Sequence, residues 1–141
     1  MHNDPIEVLE RRRAALVARD MDAFVDLFVE DAVIEMPFHV EGQGLPDRLE
    51  GREAIRAFSA RTRDMPFEIT DLETRALHRT ADPEVVVLEL TTVGRMATTG
   101  EDFTVPCIQV FRIRDGRIVL FRDYVAAQAL PAELNSSLHR R

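Results

Sequence analysis

A single carboxylate interrupts an apolar face near the end of the chain. In the segment 117–125 the alternation of a strand places Asp123 on the same side as Val119, Phe121 and Val125. If that side lines an interior, desolvation raises the pKa of the carboxyl group and makes Asp123 a general acid or base near neutral pH. The alternative is that Asp123 pairs with an arginine or caps a loop at the end of the strand.

The preceding strand carries one polar residue, Gln109, on an otherwise apolar face that comprises Val105, Cys107, Gln109, Phe111 and Ile113. Across the hairpin, Gln109 comes within reach of Asp123. Its amide there would orient the carboxylate or donate to a developing oxyanion, or it is a core amide bonded to backbone or water. We expect Cys107 to be a small buried hydrophobic residue rather than a nucleophile, because no histidine is close to it in sequence.

One of the four histidines is a candidate for chemistry. His39 opens a glycine-rich loop directly after the segment MPF, where its ring would reach a pocket mouth and titrate near neutral pH; the alternative is a solvated loop histidine. His2 and His139 lie near the termini and His78 lies at a strand end. No metal site is predicted, because the histidines are dispersed. No cofactor is predicted either, because glycine-rich nucleotide motifs and a GxSxG motif are absent.

The composition excludes several classes of function. All 18 basic residues are arginine, so the protein can form no lysine Schiff base and has no P-loop lysine. The single cysteine excludes an internal disulfide and a cysteine-based zinc site. With 25 acidic residues, a net charge of −7 and scattered arginines, nucleic acid is not expected as a partner. No apolar run approaches the roughly 20 residues needed to span a bilayer, so we expect no membrane partner and a cytoplasmic location.

The elements that position these side chains are predicted to be helices in the first part of the chain and mainly strands in the second. Asp4 as the cap and Pro5 at the first position predict a helix that runs to about Arg19. Its apolar stripe is interrupted at Arg12 or Arg13, so one of these arginines is expected on or beside the buried face. A second short helix follows the cap Asp20, with its apolar side formed by Ala23, Phe24, Leu27 and Phe28.

The rest of the chain is predicted to form a sheet with one more helix. Residues 32–38 read as a short strand, residues 39–50 as a loop that lines or covers a pocket, and residues from Gly51 as a helix. Four strands follow at about 67–79, 84–96, 103–114 and 117–125, the last two joined by the turn Asp115-Gly116. Residues 128–141 read as a frayed tail or short helix. The layout is α+β in a single domain, with helices on one face of a curved sheet around a cone-shaped interior.

Three segments together resemble the NTF2-like superfamily, in particular SnoaL-like and ketosteroid-isomerase-like proteins. They are LVARDMDAFVDLFVEDAVIEMP at 16–37, LEGREAIRAF at 49–58 and VFRIRDGRIVLFRDYV at 110–125, and they span nearly the whole chain. The resemblance implies one domain over residues 1–141, a cone of curved antiparallel or mixed sheet wrapped by about three helices. It also implies a homodimer that forms through the outer face of the sheet.

The resemblance does not favour the usual ketosteroid isomerase mechanism. Met36 stands where those enzymes carry their general-base aspartate, Gln109 where they carry an oxyanion-donating aspartate, and Arg12 where they carry a tyrosine. Proteins similar to limonene-epoxide hydrolase would match Asp123, but their arginine and second aspartate fall at Leu90 and Thr92.

Two other groups resemble the chain more closely around Asp123. SnoaL-like polyketide cyclases place a catalytic aspartate on the same strand. Phenazine-biosynthesis proteins are similar over RIRDGRIVLFRDYVAA, although their helical histidine falls near Phe58.

We therefore hypothesise a cofactor-independent acid/base enzyme of the cyclase, isomerase or condensation type, which acts on an apolar, carbonyl-bearing small molecule. Asp123 would shuttle the proton, and Gln109, His39 or Arg12 would bind or polarise the substrate oxygen. Two alternatives stay open: a non-catalytic ligand-binding or dimerisation module, and an epoxide-hydrolase-like enzyme with an incomplete triad. The expected binding residues are Arg12, Met36, Phe58, Leu90, Thr92, Cys107 and Phe121.

Overall fold

The computed structural model describes residues 4–39 and 46–126. Within these ranges lie three helices and six strands. The helices are α1 (Pro5–Ala18), α2 (Met21–Val25) and α3 (Arg52–Thr62). The strands are β1 (Phe28–Glu35), β2 (Arg48–Glu50), β3 (Phe67–Arg79), β4 (Val85–Met96), β5 (Asp102–Arg114) and β6 (Arg117–Val125).

The strands form one curved, unclosed sheet in the order β2-β1-β6-β5-β4-β3. Strands β3 to β6 are an antiparallel meander, β2 is antiparallel to β1, and β1 is parallel to β6. Helix α1 packs on β3 and helix α3 on β1, while α2 joins the two helices. The predicted α+β architecture with a curved sheet and three helices is confirmed.

Helix α1 has the ends that its sequence predicts. The side chain of Asp4 accepts a hydrogen bond from the amide of Ile6 at 2.9 Å, and Arg19 ends the helix with a left-handed backbone at φ 59°. Of the two arginines in question, Arg12 is the buried one, whereas Arg13 turns outward to an ion pair with Asp71 at 2.6 Å. No helix within residues 4–39 and 46–126 is long and apolar enough to cross a membrane.

The first strand differs from its predicted position. It runs from Phe28 to Glu35 rather than over 32–38, and α2 ends at Val25 instead of including Phe28. The backbone of Phe28 pairs with Ile118 of β6, and its ring contacts Phe24 edge-on at 5.2 Å. Sheet pairing therefore overrides the helical spacing of these aromatic residues.

The predicted loop 39–50 is also partly strand. Residues 48–50 form β2, which pairs with β1 through Val33 and Glu50, Ile34 and Leu49, and Glu35 and Arg48. Residues 40–45 of that loop and the predicted tail 128–141 lie outside the described residues.

The inner face of the meander carries the core. All five residues predicted to share the inner face of β5 are buried: Val105, Cys107, Gln109, Phe111 and Ile113. On β6 the alternation is interrupted by a register shift opposite Arg112 and Ile113, so that Ile118 and not Val119 fills the interior there. The predicted inward position of Val119 is wrong for this reason.

Candidate functional site

A cavity of about 300 Å³ lies between the helices and the inner face of the sheet. Its wall is mostly apolar, with side chains from all three helices and from β1 to β6. The apolar lining comprises Leu16, Met21, Phe24, Ile34, Met36, Leu49, Ile55, Phe58, Met65, Phe67, Ile69, Leu72, Phe103, Val105, Phe121 and Val125.

Three polar side chains form a chain of hydrogen bonds in this wall. Gln109 and Asp123 are direct neighbours on β5 and β6, and Gln109 Nε2 donates to Asp123 Oδ1 at 3.2 Å. Arg12 of α1 donates from Nη2 to Gln109 Oε1 at 2.7 Å. The contact between Gln109 and Asp123 that the hairpin predicts is therefore present, and Arg12 extends it.

Arg12 is a deeply buried cation. The residue is only 3% exposed, and its guanidinium lies 4.9 Å from the ring centre of Phe111 and 5.0 Å from that of Phe121. Burial lowers the pKa of Arg12 to about 10, with the negative charge of Asp123 opposing this effect, so the guanidinium stays charged at neutral pH. Its buried Nε has no hydrogen-bond partner among the described residues.

The carboxyl group of Asp123 is less hydrated than that of an exposed aspartate. Burial raises the pKa of its carboxyl group, while the hydrogen bond from Gln109 and the charge of Arg12 act in the opposite direction. Oδ1 accepts the bond from Gln109, whereas Oδ2 has no such bond within the described part of the chain. A proton on this carboxyl group is therefore best placed on Oδ2.

Cys107 lines the cavity next to these groups but is a poor nucleophile. Its Sγ lies 3.8 Å from Thr92 Oγ1 and donates towards the carbonyl of Val105 at 3.6 Å. Burial, assisted by the negative charge of Asp123, raises the pKa of the thiol to about 11. The thiolate is scarce at neutral pH.

Most of the residues expected at the site lie in its wall. Met36, Phe58, Thr92, Cys107 and Phe121 line the cavity together with Arg12, Gln109 and Asp123.

Two expected residues do not line it. Leu90 is 2% exposed and belongs to the hydrophobic core, and it is not among the residues that line the cavity. His39 follows a turn in which its amide donates to the carbonyl of Met36 at 2.9 Å, and this turn keeps it out of the cavity wall. The predicted roles of Leu90 and His39 in binding or catalysis stay predictions.

Ser59, which is 6% exposed and lines the cavity from α3, is not among the residues predicted from the sequence. Its position four residues after Ile55, on the same face of the helix, was an available signal. In the described part of the chain no group of three or more histidine, cysteine, aspartate or glutamate side chains is arranged to hold a metal ion.

One family model and two curated relatives match the chain. The SnoaL-like domain family matches residues 9–121. The uncharacterised protein YesE of Bacillus subtilis is 34% identical over 120 residues, which cover 84% of this chain and 78% of that protein. The uncharacterised PhzA/B-like protein PA3332 of Pseudomonas aeruginosa is 31% identical over 119 residues, which cover 84% and 81%.

Solved structures show the same fold. A Bacillus subtilis structure described as a candidate isomerase is 30% identical, with a TM-score of 0.81 over 89% of this chain and 88% of that one. Structures at 21–22% identity and TM-scores of 0.68–0.73 include a ketosteroid isomerase-like fold, an epoxide hydrolase, an epoxide hydrolase/cyclase-like enzyme and a candidate polyketide cyclase. At this identity the likeness concerns the fold alone.

Proposed function

The chain belongs to the SnoaL-like domain family, and on that premise we propose that it is a cofactor-independent acid/base enzyme of the isomerase or cyclase type. Its substrate is an apolar, carbonyl-bearing small molecule held in the cavity. Asp123 is the group that removes and returns the proton.

The observation that carries this proposal is the environment of Asp123. The side chain lines an apolar cavity, is held through one oxygen by Gln109 and is not paired directly with an arginine among the described residues. A structural ion pair would instead place an arginine nitrogen within about 4 Å of a carboxylate oxygen of Asp123. Burial instead raises the pKa of the carboxyl group, as proton transfer near neutral pH requires.

Gln109 positions the base. Because Gln109 Oε1 accepts from the Arg12 cation, which has no acceptor of its own, the amide has one satisfied orientation. In that orientation Nε2 faces Asp123, which leaves Oδ2 as the atom that exchanges a proton with substrate.

Arg12 supports the charge that develops in the reaction. When Asp123 removes a proton next to a carbonyl group, the electron pair of the C–H bond forms an enolate and negative charge moves to oxygen. A buried guanidinium near that oxygen stabilises it strongly, because little water is present to screen the interaction. The proton then returns from Asp123 to the same or another carbon.

The chain's composition restricts the route. Without any lysine, carbonyl activation through a lysine imine is excluded, which favours direct enolisation. The wall of the cavity is apolar apart from a few groups, which favours a substrate that is itself apolar.

Proton exchange tests this function without knowledge of the natural substrate. 2-Tetralone, an apolar bicyclic ketone, is incubated with the protein in D₂O, and loss of the signals of the protons next to the carbonyl is followed by NMR. The wild type should accelerate exchange over buffer, and Asp123→Asn should lower the enzymatic rate by about 100-fold or more.

Asp31→Asn is the matched control. Asp31 is exposed on β1 and does not line the cavity, so the same loss of charge there should leave exchange unchanged. An Asp123→Asn rate equal to the wild type, or a wild type no faster than buffer, would contradict the proposal and favour a non-catalytic binding module.

A further inference from the structure

Arg12 is a buried cation that lacks an anionic partner in contact with it. Surface arginines such as Arg13 and Arg122 lie within 2.6 and 2.9 Å of carboxylate oxygens. Arg12 instead contacts the neutral amide of Gln109, which separates it from Asp123. Burying a charge without a direct counter-charge is costly, so an arrangement of this kind calls for a functional explanation.

The guanidinium also has an unused donor. Arg12 Nε is buried and has no hydrogen-bond partner in residues 4–39 and 46–126. Buried donors are normally satisfied, and a guanidinium donates best to a charged oxygen acceptor. The wall of the cavity thus contains a buried cation that has one donor without an acceptor.

The charged side chains of the cavity lining also favour a bound anion. The chain carries a net charge of −7. The charged residues among the described lining are nevertheless Arg12, Arg19, Arg63, Glu68 and Asp123, with cations in excess. Arg19 and Glu68 form an ion pair at 3.4 Å, so Arg63 and Arg12 are the cations left without a direct ion pair there.

From these observations we infer that the cavity binds an amphipathic organic anion, an apolar ring system with a carboxylate or a similarly delocalised oxyanion, and that Arg12 is the residue that recognises this oxyanion. The inference rests on the proposed function, since it concerns the same cavity. It adds that the ligand is anionic when it binds, before any proton is removed.

The neighbouring groups are compatible with such a ligand. Cys107 remains a neutral thiol because burial raises its pKa to about 11. The ring faces of Phe111 and Phe121 already hold the guanidinium in place, so its orientation is largely fixed before binding.

A pair of isosteric probes tests the charge preference directly. 2-Naphthoate and uncharged 2-naphthamide have nearly the same shape, and their binding to the full-length protein is measured by isothermal titration calorimetry. We expect the wild type to bind 2-naphthoate at least about tenfold more tightly than 2-naphthamide, because charge-assisted hydrogen bonds are roughly twice as strong as neutral ones. Equal affinities, or no saturable binding of 2-naphthoate, would overturn the inference.

Variants then assign the preference to Arg12. Arg12→Met should bring 2-naphthoate down to the affinity of 2-naphthamide, and Arg12→Lys should keep part of the preference. Arg13→Gln, an exposed neighbour on the same helix, should leave it intact. A preference that survives in folded Arg12→Met would show that another cation recognises the anion and would overturn the assignment.

The variant Asp123→Asn distinguishes a failure of the proposed function from a failure of this inference. Asp123→Asn removes the base but leaves Arg12 in place, so it should bind 2-naphthoate at least as tightly as the wild type while losing proton exchange. Weaker binding of 2-naphthoate by Asp123→Asn would contradict the inference. Retained exchange with 2-tetralone would instead contradict the role of the base, whatever the charge preference.

Discussion

The pKa of Asp123 results from opposed influences that act on one side chain. Removal from water disfavours the carboxylate, whereas the amide of Gln109 and the more distant charge of Arg12 favour it. Desolvation is the largest of these, so the pKa is raised. This balance has a consequence for stability as well as for catalysis.

A group whose pKa is raised by folding binds its proton more tightly in the folded state. Its contribution to stability is therefore complete below the pKa of the unfolded chain and is lost as pH rises through the folded pKa. Asp123→Asn, which can still accept the bond from Gln109, lacks this loss. We predict that the melting temperature of Asp123→Asn minus that of the wild type increases from pH 4 to pH 8.

Thermal unfolding followed by circular dichroism at several pH values measures this difference. The gain should be larger at high pH, where the wild type has lost the contribution of the protonated carboxyl group. Asp31→Asn serves as the control and should show a smaller change with pH. A difference between Asp123→Asn and the wild type that stays constant with pH would contradict the prediction.

Contacts at the residue scale were predictable to different extents. The approach of Gln109 to Asp123 follows from the period of two and from the short turn at Asp115 and Gly116, both of which can be read locally. The bond from Arg12 to Gln109 joins residues that are 97 positions apart, and no local pattern encodes it. The helical spacing left Arg12 and Arg13 equivalent, whereas the family resemblance pointed to Arg12, which packing on the sheet buries.

At the scale of elements, the wall of the cavity depends on a close approach between β4 and β5. Gly94 lies directly opposite Phe103, whose ring covers the glycine and also lines the cavity. A Cβ atom at position 94 would lie 2.9 Å from Cε2 of that ring and closer still to Cζ. The ring could not keep its place.

Gly94→Ala should therefore destabilise the protein by about 1–3 kcal/mol, because the displaced ring overpacks the wall. Urea denaturation gives this change. The double variant Gly94→Ala/Phe103→Leu should recover part of the loss relative to the two single variants, as expected for residues in contact. A fully stable Gly94→Ala protein, or strictly additive effects, would argue against this packing.

The exact start of β1 and the register of β6 could not be predicted from the sequence alone. The start of β1 at Phe28 depends on pairing with β6, and the buried position of Ile118 depends on a register shift opposite Arg112 and Ile113. Both are decided by strands that are distant in sequence. The regular part of β5, which alternates without interruption, was predictable in full.

At the scale of the whole molecule, the outer face of the sheet carries an apolar patch. Ile108 is 49% exposed and lies opposite Tyr124, which contacts Phe38 edge-on at 5.3 Å. Phe38 is itself 64% exposed. Clustered exposed apolar groups of this kind mark association surfaces. They agree with the dimer implied by the family resemblance, which remains a prediction.

Light scattering should give a mass of twice 16.1 kDa for the wild type. Ile108→Asp, which places a charge in the centre of the patch, should shift the protein to the monomer, while Ile108→Val should remain a dimer. A monomeric wild type would contradict the dimer, and a dimer that tolerates the aspartate would place its interface elsewhere.

The parallel pairing of β1 with β6 also determines when the cavity can form during synthesis of the chain. Synthesis delivers β1 early, but its partner is the final strand of the sheet, and closing so long a loop is entropically slow. Asp123 lies on that final strand. On the ribosome, the edge of β1 that pairs with β6 therefore stays unpaired until β6 emerges. The carboxyl group leaves water only in the step that completes the sheet, so a partly made chain carries neither a closed cavity nor a perturbed acid.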